Sequence, residues 1–370
     1  MDLSIISYLS FLAAFQLLFV GIFLITHKKG NRRNNILFAS IFILIAWNMG
    51  VLTLQINGVV FNWKFLPHID DGFFLLYGPL FYLYALGIIY QDHKLTRRHL
   101  LHLGPYILLT ILLLMFRNQK PSTAQEIMTN DLPWQYYLIS ALMYIHFFAY
   151  LAMTHKILSK YAKVIKNKYS QIDQINLGWL SFALKTFIFM GLASLIQNFI
   201  GLAENRYVYI LALIFLLIFI FYFVIRVILK ALEQPEIFAG ISRTESVKYL
   251  GSNLTSKAIE KYKQRLLGFM ETEKPFLNPE LNIGELAEQL SVPTKQLSQV
   301  INQSFNKSFF DFINTYRVQE VQKILKEAKN DKLTVLEAMY QAGFNSKSSF
   351  NTAFKKETGQ TPTEYRRSML

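Results

Sequence analysis

Seven stretches of the chain are almost wholly apolar, and polar residues collect between them: 5–25, 36–54, 73–90, 100–116, 136–153, 177–200 and 207–229. Each approaches the roughly 20 residues that a helix needs to cross a hydrocarbon core. The pattern predicts a polytopic helical membrane region over residues 1–229. Beyond it the period changes. Short segments appear there in which apolar residues recur three and four positions apart, the mark of one-sided helices.

The flanks of the spans predict their orientation. Nothing basic precedes the first, which starts "MDLS", and "HKKGNRRNN" comes directly after it. It therefore reads as an uncleaved span with its N-terminus outside, not as a signal peptide. The loops placed inside hold 12 Lys and Arg (28, 29, 32, 33, 94, 97, 98, 156, 160, 163, 166, 168), against 4 outside (64, 117, 120, 206). That asymmetry orients the spans and puts the C-terminus in the cytoplasm. A six-span arrangement would put the tail outside and break the charge rule. The longest outer loop, about 117–135, is too short for an extracellular domain. A stimulus would have to enter through the bundle, the bilayer or another membrane protein.

Residues 230–273 read as a linker and a transmitter helix. The linker carries Pro235, Gly240 and Gly251; the helix has Ile259, Tyr262, Leu266 and Phe269 on one stripe. Two heptads do not define a coiled coil, so the stripe is either a dimer seam or a face that docks on the C-terminal domain. From 274 to 370 two similar units appear, at about 282–306 and 334–358. Asn282 with Glu285 and Thr334 with Glu337 have capping-box spacing. Each opens a short helix ended by a turn, "SVP" or "GFN", and a second helix comes after the turn. Pro293 blocks the first helix from continuing, and Gly343 suits a left-handed helix end. The units repeat at an offset of 52–53 residues, an internally duplicated helix–turn–helix. A stretch without Gly or Pro, about 309–328, should join them as one helix.

In the second helices Leu297, Val300, Ile301 and Phe305, and Phe350, Ala353 and Phe354, fall inward. Outward fall Lys295, Ser298, Gln299 and Asn302 in one, and Lys347, Ser348, Ser349, Thr352, Lys355 and Lys356 in the other. Such donors and acceptors match base edges in a major groove, and lysines match phosphates. Residues 294–306 contain no acid, and Glu357 comes only at the far end of the second helix.

Composition refines this picture. Net charge is +14, but residues 1–229 hold +10 of it, so most of the basicity reports membrane topology. The chain is 52% hydrophobic, with a mean hydropathy of +0.27. It has no cysteine, which excludes disulfides, thiol nucleophiles and cysteine metal sites. Gln16, Asn48, His146, Lys185, Gln197 and Asn198 lie within spans, where polar residues are candidates for function. Lys185 and Arg226 can instead snorkel toward an interface. His93, His99 and His102 form an interfacial cluster, and Asp70–Asp71 a solvated turn. No catalytic constellation, phosphate loop, cofactor motif or metal spacing stands out, so a non-enzyme without cofactors is expected.

The segment "GFNSKSSFNTAFKKETGQTPTEYRR" resembles the second helix–turn–helix of AraC-type transcription regulators, and "FFDFINTYRVQEVQKIL" their linking helix. The resemblance covers about 280–367; "YGPLFYLY" and "HLLHLGPYILL" resemble, more loosely, membrane regions fused to such domains in some bacteria. It implies contacts to double-stranded DNA from Lys295, Ser298, Gln299, Lys347, Ser348, Ser349 and Thr352, with Asn302 and Lys355 flanking. Met339 departs from the small residue usual at the helix crossing. The expected protein is all-α: a seven-helix transmembrane bundle and then a cytoplasmic domain with two helix–turn–helix units, a one-component transcription regulator of the inner membrane. Its partners would be DNA and the lipid bilayer, with a second copy and RNA polymerase as further candidates. A membrane receptor or transporter-like protein whose tail docks a protein is the alternative, and an inert membrane tether a third reading.

Overall fold

The computed structural model describes residues 3–26, 31–59, 71–90, 93–115, 134–172, 177–202, 206–233, 254–327 and 333–368. Most of the linker, 234–253, and most of the outer loop 117–135 lie outside the described residues, as does Asp70. Among those described, helices are the regular structure, and an isolated antiparallel bridge pairs Tyr169 with Asn282. The chain divides into two compact units, Met1–Leu158 with Leu177–Gly240, and Ser159–Asn176 with Ile241–Leu370.

The first unit contains α1 (Leu3–Thr26), α2 (Arg32–Ile56), α3 (Phe74–Ile89), α4 (Gly104–Met115), most of α5 (Trp134–Lys168), α6 (Gly178–Leu202) and α7 (Arg206–Glu233). All seven apolar stretches are helical over nearly all of their described parts, and five of the helices are long and apolar enough to cross a membrane: α1, α2, α5, α6 and α7. Helix α3 has 16 residues, and α4 has 12 preceded by a 3-10 turn at Arg97–Leu103. Helix α1 packs on α2 and α7, α2 on α3, and α6 on α7. Small residues allow close approach: a Cβ on Gly78 of α3 would meet Tyr150 of α5 at 2.9 Å. Apolar side chains also cover the outside, where Phe11, Phe15, Phe199 and Leu211 are each more than half exposed.

The polar residues within these helices mostly find one another. Asn48 donates to the Tyr77 hydroxyl at 3.0 Å, and Asn198 to the Tyr144 hydroxyl at 2.7 Å, which also meets Ser194. The Arg226 guanidinium lies over the Phe182 ring, and Lys185 is exposed. Both ring nitrogens of His146 and the Gln16 carbonyl oxygen are buried without a hydrogen-bond partner among the described residues. His99 lies between His93 and His102 with ring centroids 5.1 and 6.1 Å away, and His102 bonds the Tyr150 hydroxyl at 2.6 Å. No group of three metal-ligating side chains occurs among the described residues.

The second unit holds α8 (Ser256–Thr272), α9 (Ile283–Gln289), α10 (Thr294–Phe305), α11 (Phe309–Glu327), α12 (Val335–Gln341), α13 (Lys347–Thr358) and α14 (Pro362–Arg367). It has two cores. One joins Leu266 and Met270 of α8 to Leu286, Leu297, Ile301, Phe309 and Ile313. The other joins Val321 and Leu325 to Met339, Phe344, Phe350 and Phe354. Helix α11 is continuous over 19 residues, roughly 28 Å at 1.5 Å per residue, and contributes to both. Of the two roles open to the α8 stripe, the packing shows docking: Leu266 is fully buried against the first helix–turn–helix, with Tyr262 and Phe269 beside it.

Ion pairs brace the two cores across α11. Lys356 of α13 reaches Asp311 at 2.7 Å, and Lys307 reaches Glu357 at 3.0 Å, with the Thr315 hydroxyl donating to the same carboxylate oxygen. Burial pushes the Asp311 carboxyl up. Hydrogen bonds from Lys356 and Ser308 and the positive charges of Lys356 and Lys166 outweigh it and hold the group below the usual carboxylate range.

Two outcomes are expected. Gly343 has φ +87°, and a Cβ there would sit 2.5 Å from the Phe276 carbonyl oxygen and 2.7 Å from that of Leu277. Gly343→Ala should cost about 2–4 kcal/mol, combining left-handed strain with a backbone clash. Gly359, at φ +77° with open space around it, should cost only about 1–2 kcal/mol as alanine. Thermal proteolysis of the second unit in the full chain measures the contrast. Asp311→Asn should cost about 0.5–1 kcal/mol at neutral pH, discounted because the pair is part-exposed. A depressed carboxylate contributes fully above its unfolded value near 3.8, and the contribution is lost as pH falls through the lower folded value. Urea unfolding at pH 6 and pH 3 should therefore show the variant losing less than the wild type on acidification.

Candidate nucleic-acid interface

Each helix–turn–helix is built from its caps inward. The Asn282 side chain accepts hydrogen bonds from the Gly284 and Glu285 amides at 3.0 and 3.1 Å, while the Glu285 carboxylate accepts from the Asn282 amide. This fixes the start of α9. The turn then passes through Ser291 at φ +48° and Pro293, and α10 begins at Thr294. In the second unit Thr334 and Glu337 cap α12 in the same way, Gly343 makes the turn, and the Ser346 hydroxyl caps α13. A further capping box, Thr361 with Glu364, opens α14. Its Tyr365 packs on Phe354, and Arg366 donates to the Leu325 carbonyl at 3.0 Å. The end of the chain thereby backs the second unit.

The buried faces of α10 and α13 turn Leu297, Val300 and Ile301, and Phe350, Ala353 and Phe354, into the cores. What remains outward is polar. Lys295 and Asn302 on α10 are exposed and Gln299 is half-buried; Lys347, Ser348, Thr352 and Lys355 on α13 are exposed and Ser349 is half-buried. Ser298 differs. It is only 6% exposed, and both its carbonyl and its hydroxyl oxygen accept from the Asn302 amide. In this geometry Ser298 orients Asn302 and offers little surface of its own. Thr352 and Lys355 also line an open depression of about 630 Å³ between α13 and α14, with Asn351, Lys356, Thr361, Pro362 and Thr363. Lys356, outward by pattern, spends its charge on Asp311, and Glu357, the acid on α13, is neutralised by Lys307.

One central residue was not singled out by pattern. Arg317 of α11 is 1% exposed and has no carboxylate partner among the described residues. Its Nε donates to the Phe276 carbonyl at 2.8 Å and its Nη2 to the Asn278 carbonyl at 2.8 Å. Nη1 reaches the Ser170 carbonyl and Nη2 the Ser170 hydroxyl, each at 3.2 Å. The guanidinium carbon lies 5.7 Å from the centre of the Phe344 ring. Burial pulls its pKa down to about 10. The signal in the sequence is its register: it falls four residues after Ile313 and four before Val321, a charge on the core stripe of a helix.

Known proteins match the C-terminal part of the chain. Residues 286–368 match the family model described as a helix-turn-helix domain. An HTH-type transcriptional regulator from Pseudoalteromonas carrageenovora is 31% identical over 88 residues, 24% of this chain and 50% of that protein. The HTH-type transcriptional activator RhaS of Pectobacterium atrosepticum is 28% identical over 103 residues, 28% of this chain and 35% of that one. The solved C-terminal domain of AraT, a response regulator from Geobacillus stearothermophilus, is 27% identical, covering 32% of this chain and 88% of that one, with a TM-score of 0.24. The chain spans half or less of the length of these curated relatives. The C-terminal part of the chain, over residues 286–368, is a helix–turn–helix domain of the AraC type found in transcription regulators.

Proposed function

We propose that the chain is a membrane-embedded, one-component transcription regulator: its apolar helices sit in the inner membrane and respond to a stimulus, and its AraC-type domain binds promoter DNA in the cytoplasm. One observation carries the DNA reading. Two helices, α10 and α13, present acid-poor faces of lysine, amide and hydroxyl groups and pack on one continuous helix, α11. That helix, roughly 28 Å long, is close to the ~34 Å between successive major grooves on one side of B-DNA. The residues proposed to contact DNA are Lys295, Gln299, Asn302, Lys347, Ser348, Ser349, Thr352 and Lys355, with Ser298 setting the orientation of Asn302. Membrane embedding is supported by five long apolar helices and by the apolar side chains on their outer faces, which a water-facing surface rarely carries in such number.

Because the two faces differ in sequence, the DNA site should be asymmetric. With the full chain in lipid nanodiscs, selection from random duplexes should yield a two-part preferred sequence about one helical turn apart. Lys295→Ala and Lys347→Ala should each relax a different part, by about 1–3 kcal/mol where the lysine reads a base edge. A lysine that touches only phosphate should weaken all sequences alike and lower the salt dependence. Both variants altering the same base pairs would exclude the two-groove geometry. Failure to select any sequence would favour a protein-docking tail.

The orientation is checked separately. A reporter active only in the cytoplasm should work when fused after Leu370 and fail within residues 120–130. The reverse result would keep the tail from DNA and end the regulator reading.

A further inference from the structure

Helix α5 is far longer than a membrane requires. Its 35 residues span about 52 Å, against the roughly 20 residues that suffice for the hydrocarbon core. Past Met153 its composition changes to "THKILSKYAKVIKNK", five lysines alternating with a buried stripe of Leu158, Tyr161, Val164 and Ile165. From Ser159 onward this segment belongs to the same compact unit as the helix–turn–helix domain, although more than a hundred residues separate them in sequence.

The end of that segment makes specific contacts. Ser170 is 1% exposed. Its amide donates to the Leu281 carbonyl at 3.2 Å and its hydroxyl to the same oxygen at 2.5 Å. Tyr169 pairs with Asn282 in the antiparallel bridge. Leu281 and Asn282 immediately precede α9, and Asn282 is its capping residue. The Ser170 carbonyl and hydroxyl in turn accept from the Arg317 guanidinium on α11. One serine thus holds both the start of the first helix–turn–helix and the helix that joins the two units. Lys166, one turn earlier, adds its positive charge to the field on Asp311, the acid that clamps α13.

We propose that residues 159–170 are a docking arm, and that the arm's grip on Leu281, Asn282 and Arg317 transmits the state of the membrane helices to the DNA reader. The inference rests on the DNA-binding reading above. Withdrawing Ser170 leaves Nη1 of a buried guanidinium without its acceptor and removes one from Nη2. A buried donor left unmade is costly, so docking of the arm and packing of the first helix–turn–helix are linked free energies, and the linkage is reciprocal. In the docked arrangement Lys295, Asn302, Lys347 and Thr352 stay exposed. The docked arm is therefore the DNA-competent state, and release weakens the grip.

The chain has no cysteine, so an introduced pair has no background. Residues facing each other in an antiparallel bridge have Cα atoms about 4.5–5.5 Å apart, within disulfide reach. In membranes holding the full chain, mild oxidation should join Tyr169→Cys to Asn282→Cys within one molecule, and neither single variant should react. Adding Ser170→Leu should cut the yield at least fivefold. On a duplex selected with the wild type, the joined form should bind within twofold of wild type. Ser170→Leu should bind at least fivefold more weakly, and Ser170→Thr, which keeps the hydroxyl, should bind like wild type. The reduced pair is the folding control, since Asn282 is a cap. Should it bind DNA poorly, Gln171→Cys with Glu280→Cys, the next facing pair on the same side of that register, replaces it. Cross-linking needs no DNA, so docking is read apart from DNA recognition. A chain that binds the duplex but does not cross-link has no such arm, and unchanged DNA affinity in Ser170→Leu would overturn transmission through it. Cross-linking in a chain that binds no duplex would support docking and overturn the DNA reading instead.

Discussion

A buried arginine whose hydrogen-bond partners among the described residues are neutral oxygens organises the second unit. Arg317 cannot leave its charge behind, because a guanidinium stays protonated, and it is 1% exposed. The surrounding backbone must therefore come to it. The carbonyls of Phe276 and Asn278 fix the 3-10 turn just beyond α8, and those of Ser170 fix the segment after α5. Gly343, the turn glycine of the second helix–turn–helix, sits against the same Phe276 carbonyl and against that of Leu277, with no room for a side chain. One cation therefore gathers the approach to the first helix–turn–helix and, through its contact with Phe344, the turn of the second. Lysine could not replace it, since a single ammonium lacks the planar fork that reaches three directions.

This arrangement separates holding from reading. Core residues and buried polar groups set where α10 and α13 stand, and Lys295, Lys347, Thr352 and Lys355 stay exposed. The acids of the domain illustrate the division. Asp311 and Glu357 are neutralised by Lys356 and Lys307. Glu285, Glu337 and Glu364 are taken by capping boxes. Lys295, Lys347 and Lys355 keep their charges at the surface. A protein with a nearly balanced tail can in this way present a locally positive face.

Much of the helical layout was legible in the sequence because it rests on local rules. Both predicted capping boxes form, Gly343 adopts the left-handed conformation, and α11 runs without a break. Apolar length marked the long helices, five of which meet the membrane criterion. What pattern could not show depended on residues far apart in the chain. The contact between Ser170 and Arg317 spans 147 positions, and no periodicity encodes it. Ser298 keeps to the outward register of α10, yet neighbouring packing leaves it 6% exposed. The stripe on α8 was equally consistent with a seam or a docking face until Leu266 and Met270 were seen inside a core.

We propose that one chain holds membrane and DNA together. Flotation of a labelled duplex with proteoliposomes tests it most directly, using the preferred sequence at rising salt. Phosphate contacts release counterions, so binding should fall steeply with salt. The account predicts that the duplex rises with vesicles that contain the chain at low salt, stays behind at high salt, and never rises with empty vesicles. A duplex that remains with the soluble fraction at every salt concentration, while the chain itself floats, would contradict it.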